Sequence, residues 1–456
     1  MTCVSCLATA ALLAAIVATP SAAELILNTD LTATEGETVP SNWTPWEPDW
    51  EGARCEFKPT PNGLRVSAPS RPFAVGGVQQ TVRRVAGGQA YALEVDCALR
   101  KVAFPHQAAA VRVYWLKGDQ PIHPAGTLIR GPYVDDESAA FRDMLVSPGD
   151  ADGARIVLEV RWPRGGTVTW QRVSVKQTTM PAPRKVKLGT VYLRPSESTP
   201  EGNLDLWCEQ LDEAGRLGLD IVCLGEAIRT IGTGKSLTES AEPIPGPSTV
   251  ALGEAARRNN LWVVGTIIEQ DGTDLYNTAL LIDREGHLAG TYRKTHLPRE
   301  EWRNGISPGG DYPVFTTDFG TIGIQICYDW FFPEVAGILA RKGAEVIFAP
   351  TWGSTFPDRD GMVMGESTFR VRARDNGVYL VPCVYDGNSL VIDPLGRILA
   401  SNEGKTGVFW AEVDLDPREP LEWVGHWRSI GPRDRMPETY SDMIDTNIEP
   451  DVGPGD

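Results

Sequence analysis

The chain has 456 residues, 42% of them apolar and 23% charged, which suits two or three globular domains and excludes a disordered or fibrous chain. Lys and Arg number 43 against 60 Asp and Glu, a formal net charge of -17, so nucleic acid is not an expected partner, because phosphate binding draws on clustered cations.

Residues 1–23 carry no charge, the run from Leu7 to Val17 is apolar, and Ser21-Ala22-Ala23 has the small residues of a cleavage site. This pattern predicts a signal peptide and a secreted or periplasmic protein, although no Lys or Arg precedes the apolar run. The run is short for a membrane span. Cys3 and Cys6 would leave with it, and six cysteines would remain. Export permits a disulfide between Cys55 and Cys97; two buried free thiols are the alternative.

From Glu24 to about Lys176 the texture is strand and turn. Gly77–Val82, Tyr91–Val95, Ala109–Tyr114, Arg155–Val160 and Thr167–Trp170 are short runs bounded by Gly, Pro or Asp. Regular short strands without helical period predict an all-β sandwich or jelly roll over residues 24–180. Trp43, Trp46 and Trp50 lie in a Pro-rich stretch of it and are candidates for carbohydrate binding; plugging the sandwich edge is the alternative. Met180-Pro181-Ala182-Pro183 reads as a linker.

From residue 184 to 416 strands alternate with helices. Leu188–Leu193, Asp220–Leu224, Leu261–Ile268, Thr278–Ile282, Gly320–Cys327, Glu345–Ala349 and Val378–Val381 read as strands. Leu204, Trp207, Leu211 and Ala214 share one helical face, and Pro333 opens a helix buried through Val335, Ile338 and Leu339. The alternation predicts an α/β domain. Residues 417–456 form a tail with little period, whose Trp423 and Trp427 are expected to be buried against something, a neighbouring protomer being the favoured candidate.

Two motif-like stretches carry no chemistry. Gly234-Lys235-Ser236 lacks the earlier glycine of a phosphate loop and is followed by a Pro-rich segment where that loop needs a helix. Gly305-Ile306-Ser307-Pro308-Gly309 fits G-x-S-x-G, but Pro308 has no N–H to offer an oxyanion. The five histidines show no metal-ligand spacing, and no cofactor is expected.

Cys327 differs. It ends a buried strand, and Tyr328-Asp329-Trp330-Phe331-Phe332-Pro333 turns from it into a helix, an elbow that exposes a side chain and gathers backbone N–H groups. A thiol needs a base to act as a nucleophile near neutral pH. Glu226 and Lys294 also stand beyond strands of this domain, where sites of α/β folds assemble. Taken singly, they read as a buried cysteine, a turn carboxylate and a surface lysine.

Their surroundings resemble the nitrilase superfamily of carbon–nitrogen hydrolases. The resemblance rests on Asp220-Ile221-Val222-Cys223-Leu224-Gly225-Glu226, on Tyr276-Asn277-Thr278-Ala279 through Tyr292-Arg293-Lys294, and on Gly323-Ile324-Gln325-Ile326-Cys327-Tyr328-Asp329, supported by Ala241-Glu242-Pro243-Ile244-Pro245-Gly246-Pro247. It covers about Val186 to Asp416 and implies a four-layer α-β-β-α sandwich that forms homodimers or larger homo-oligomers. It also implies roles: Glu226 as general base, Cys327 as nucleophile, Lys294 and the Tyr328 N–H as oxyanion donors. A second glutamate is implied after the lysine; Glu300 and Glu301 compete, and Glu301 is favoured because Trp302 and the glycine turn follow it. The implied substrate is a small-molecule amide or N-carbamoyl compound, since nitrile-hydrolysing members usually carry Trp-Glu where this chain has Tyr328-Asp329. A nitrile hydrolase and an inactive surface- or matrix-binding protein are the alternatives. Trp330, Phe331 and Trp352 are candidate pocket residues. Relatives that take carboxylate-bearing substrates often place Arg where Trp330 and Phe331 stand, so a neutral, aromatic or amine-bearing substrate is expected.

Overall fold

A computed structural model describes residues 23–353, 364–416, 419–421 and 423–445, so the signal segment lies outside the described residues. The chain divides into two compact units, one ending at Ala182 and taken up again from Leu421, the other spanning Pro183–Pro420.

The first unit is an antiparallel sandwich of two six-stranded sheets. One sheet is built around Val75–Val82, Gly153–Arg161 and Ala109–Lys117, the other around Gly63–Ser67, Thr167–Thr178, Ala90–Arg100 and Ser138–Val146. Every run read as a strand from its alternation lies inside one of these. The inward residues form one core: Val111 and Val113, Ile156, Leu158 and Val160, Leu93, Val95, Cys97 and Leu99. In Thr167–Thr178 a bulge between Trp170 and Arg172 shifts the register, so Val168 and Trp170 before it and Val173 and Val175 after it all face the core.

Cys55 and Cys97 are both free and buried in this core. Of the two readings of this pair, buried free thiols hold, and burial pushes each thiol up to about 12. The three tryptophans separate: Trp43 is a core residue whose indole N–H donates to the Asn28 carbonyl at 3.1 Å, Trp46 is half-buried, and Trp50 is 77% exposed.

The tail differs from its reading. It forms a helix, Trp427–Asp434, and packs with the sandwich of its own chain. Arg161 pairs with Asp434 at 2.6 Å, Arg164 pairs with Glu438, and Arg433 donates to the Ile129 carbonyl at 2.9 Å. Trp423 is 76% exposed on the single chain, so it is not buried against its own sandwich.

The second unit contains two six-stranded mixed sheets. Ile221 and Cys223 point between the sheets, where they meet Ile322, Ile324, Phe348 and Val381, while Val222 and Leu224 point outward to Leu204, Trp207, Leu211 and Leu252 on the helices Pro200–Arg216 and Pro247–Asn259. On the other sheet Ile347 and Val378 cover Val335 and Leu339 of Pro333–Arg341, and Leu380 covers Phe369 and Ala373 of Met364–Asn376. This is the four-layer α-β-β-α sandwich. Helix starts follow local chemistry: the Thr199 hydroxyl accepts from the Gly202 N–H at 3.0 Å, and a proline occupies the first turn of both Pro200–Arg216 and Pro333–Arg341. The parallel strands Ile221–Cys223, Thr321–Ile324 and Val346–Gly353 all point their C-terminal ends toward the same rim.

Candidate active site

Each candidate group is delivered by a strand end. Glu226 follows Ile221–Cys223, and Ala227 after it adopts φ +46°. Cys327 follows Thr321–Ile324, opens a short 3-10 turn through Phe331, and itself adopts φ +43°. A left-handed φ on a side chain with a Cβ costs on the order of 1 kcal/mol or more and persists only where its surroundings over-determine it. Both strained positions flank the candidate chemistry. Gly225 is required beside them, because a Cβ there would lie 2.2 Å from the Tyr385 hydroxyl, which donates to the Glu226 carbonyl at 2.7 Å.

Lys294 extends from Leu288–Arg293, and its N–H donates to the Asn277 carbonyl at 2.8 Å. Its carbonyl accepts from the Gly309 N–H at 2.8 Å, so the Gly305–Gly309 turn, though not a nucleophile elbow, buttresses the lysine. A Cβ on Gly309 would meet the Arg293 carbonyl at 2.1 Å.

The side chains converge. Lys294 Nζ, 1% exposed as a residue, donates to Glu226 Oε1 at 2.9 Å and to Glu301 Oε1 at 2.8 Å. Asn277 Nδ2 donates to the same two oxygens at 2.8 and 2.9 Å. The Trp352 N–H donates to Glu226 Oε2 at 2.7 Å. Of the two glutamates weighed for the second position, Glu301 is buried within this cluster at the lysine whereas Glu300 is exposed. Burial raises the Glu301 carboxyl above the ordinary carboxylate range, against the pull of Lys294 and reinforced by the nearby Glu226 charge. Burial works against the Lys294 ammonium, but Glu226, Cys327 and Glu301 outweigh it and hold the ammonium above its ordinary value. The Cys327 thiol is raised, first by burial and then by the facing Glu226 carboxylate, with Lys294 and the Trp352 N–H opposing.

Asp329, two residues beyond the cysteine, enters the sequence reading only within the Tyr328-Asp329 pair. It is fully buried and accepts four hydrogen bonds: Tyr292 hydroxyl 2.7 Å, Ile326 N–H 2.9 Å, His296 N–H 3.0 Å and, through Nδ1, the His296 ring 2.9 Å. Tyr292 and His296 flank Lys294, so one carboxylate ties the Cys327 turn to the lysine strand.

The chain matches the Carbon-nitrogen hydrolase family over residues 187–421. It belongs to that family. Omega-amidase NIT2 of Homo sapiens is 32% identical over 248 residues, covering 50% of this chain and 88% of the relative. Omega-amidase NIT2 of Danio rerio is 34% identical over 251 residues, covering 51% and 89%. Among solved structures, Nit3 of Saccharomyces cerevisiae, a member of branch 10 of the nitrilase superfamily, is 27% identical with a TM-score of 0.45, covering 58% of this chain and 96% of that one. The chain is therefore a member of the carbon–nitrogen hydrolase family with a β-sandwich before the matched α/β unit.

Within this carbon–nitrogen hydrolase the three candidate pocket residues fare differently. Trp330 is 3% exposed and packs with Phe369, Ala349 and Leu380, so its ring belongs to the core and not to a pocket. Phe331 is 53% exposed, stacked on Trp330 at 4.0 Å and 5.1 Å from the Tyr328 ring. Trp352 is half-buried, with its ring edge-on to Tyr385 at 5.7 Å. Among the described residues no group of His, Cys, Asp and Glu is arranged to hold a metal ion.

Proposed function

We propose that the enzyme hydrolyses a small amide through a Cys327 thioester, with Glu226 as the shuttling base and Lys294 as the principal oxyanion donor. The observation that carries this reading is the convergence of the Lys294 ammonium and the Glu226 carboxylate beside a cysteine held at φ +43°. Because burial and Glu226 raise the thiol, it rests protonated, and a free thiolate is not stored. Proton transfer to Glu226 then accompanies attack of sulfur on the amide carbon. The carbonyl oxygen becomes an oxyanion, stabilised by Lys294 and the Tyr328 N–H. Protonated Glu226 gives its proton to the departing nitrogen, the C–N bond breaks, and ammonia or an amine leaves with a thioester remaining. Water then loses a proton to Glu226 and attacks the thioester; the proton returns to sulfur as the acid departs.

The names of the relatives support an amide over a nitrile. Aromatic residues stand where carboxylate-binding relatives place Arg, and the one that reaches solvent is Phe331, which supports a substrate whose far end is apolar or neutral. The test is intact-mass detection of an acyl-enzyme on Cys327 across paired aliphatic, aromatic and carboxylate-bearing amides, with their nitriles as controls. An adduct on another residue, or turnover of nitriles alone, would overturn the reading.

A further inference from the structure

Counting lone pairs around the two glutamates isolates one further residue. A carboxylate offers about four acceptor sites. Glu226 has one filled by Lys294, one by Asn277 and one by the Trp352 N–H, which leaves one free on Oε2. Glu301 has both sites on Oε1 filled by the same Lys294 and Asn277, while its Oε2 is buried with no partner. Two carboxylates therefore share a single ammonium. Left alone, such a pair relieves its repulsion by sharing a proton between them, as paired acids do. A direct O–H···O bond between Glu226 and Glu301 would occupy the base that the cysteine needs.

Asn277 blocks that arrangement. Its amide nitrogen has two hydrogens and gives one to each Oε1, and its backbone carbonyl receives the Lys294 N–H at 2.8 Å. The residue is 1% exposed, and its Oδ1 has no partner. Flipping the amide would set Oδ1 against two carboxylate oxygens, so only one orientation is tolerated. Serine has one hydrogen to give, aspartate adds a third acid, and lysine adds a second cation. Only a neutral double donor fits. We propose that Asn277 is a positioning residue that wedges Glu226 and Glu301 apart as a fixed pair, so that the remaining acceptor site of Glu226 stays open to the Cys327 proton. This rests on the Cys327–Glu226 reading above. The charged or titratable groups facing the wedge are Glu226, Glu301, Lys294 and, beyond Glu226, Cys327.

The test compares Asn277→Asp, which keeps the shape and reverses the polarity, with Asn277→Ser, which keeps one donor and adds no charge. Each is measured for kcat, KM and the pH dependence of kcat/KM on an accepted amide, beside Cys327→Ala. Two charge-assisted bonds are lost or halved, so kcat should fall about a hundredfold with KM changed by less than about threefold. The acid limb of kcat/KM should move to higher pH by about one unit in Asn277→Asp, because an added negative charge makes the neighbouring carboxylates hold protons more tightly, and by less in Asn277→Ser. A scaffold role would lower the melting temperature and leave the acid limb in place. That result overturns the proposal, as does activity within threefold of wild type, or failure of both variants to fold. An active Cys327→Ala enzyme would instead overturn the nucleophile reading, so the two failures are told apart.

Discussion

Replacing Lys294 by Met tests the centre of the site with a side chain of similar length and no charge. In the native chain Nζ lies 2.9 Å from Glu226 and 2.8 Å from Glu301, with the side chain fully buried. Removing it leaves two like charges facing each other out of water. Breaking a buried ion pair on one side costs about 3–5 kcal/mol, and proton uptake by the carboxylates recovers part of this. The sign with pH follows. In the variant the Glu301 carboxyl, already raised by burial, loses the ammonium that pulls it down, so between the ordinary carboxylate range and its raised folded value the native state binds more protons than the unfolded chain, and stability falls as pH rises. Lys294→Met should therefore be closer to wild type at pH 5 than at pH 8 when unfolded by urea. Activity should fall at least about a thousandfold at every pH, because an oxyanion donor is lost and the base is no longer oriented. Acyl-enzyme formation followed by mass is the activity assay. Equal destabilisation at both pH values would refute the charge argument, and a loss below tenfold would show that the oxyanion is held by something else.

Cys327→Ala should abolish hydrolysis with the melting temperature little changed, and activity within tenfold of wild type would exclude the thioester. Glu226→Gln should lose at least about a thousandfold, since the amide cannot accept the thiol proton, and should show no burst of acyl-enzyme. Trp330→Ala should cost about 3–5 kcal/mol of stability by emptying a core site, while leaving the ranking of substrates intact; a changed ranking with unchanged stability would return the ring to the pocket.

The strands were legible because alternation is dictated by which face is buried. Ile221 and Cys223 face one core and Val222 and Leu224 the other, a run buried on both sides that reads as a parallel strand. The edge strands Val314–Thr316, Ile398–Ser401 and Gly407–Asp414 escaped notice because they are short or half-exposed and so carry little apolar pattern. At the site, Cys327, Glu226 and Lys294 were visible as strand ends. Asn277 was not, although it stands in a quoted block, and Asp329 entered only beside Tyr328, because their importance lies in how many donors and acceptors meet them in space, and no spacing encodes that. Trp330 and Phe331 are not separable by pattern for a related reason: after Cys327 the two rings stack at 4.0 Å, the inner one packed in the core and the outer one toward solvent. The choice between Glu300 and Glu301 turns on the helix Arg299–Arg303, where neighbours point about 100° apart and only one can reach the lysine.

The tail carries the last prediction. Its docking on the sandwich makes the α/β unit, Pro183–Pro420, an insertion between two parts of the first unit. Deleting the chain from Leu421 onward removes the buried Ile430 side chain, worth about 1.5–3 kcal/mol, and the Arg433 bonds to the carbonyls of Ile129 and Gly131, which offset part of the cost of burying that guanidinium. The pairs Arg161–Asp434 and Arg164–Glu438 are partly exposed and add no more than about 1 kcal/mol each. A net loss of about 3 kcal/mol lowers the melting temperature of a domain this size by about 6–12 °C. The deletion should therefore destabilise the sandwich, leave the turnover of small amides unchanged, and leave the number of protomers in the solution assembly unchanged. Calorimetry, steady-state rates and light scattering on the shortened chain measure the three. If the sandwich melts as before while the assembly falls apart, the tail belongs to a neighbouring protomer and its docking on its own chain is refuted.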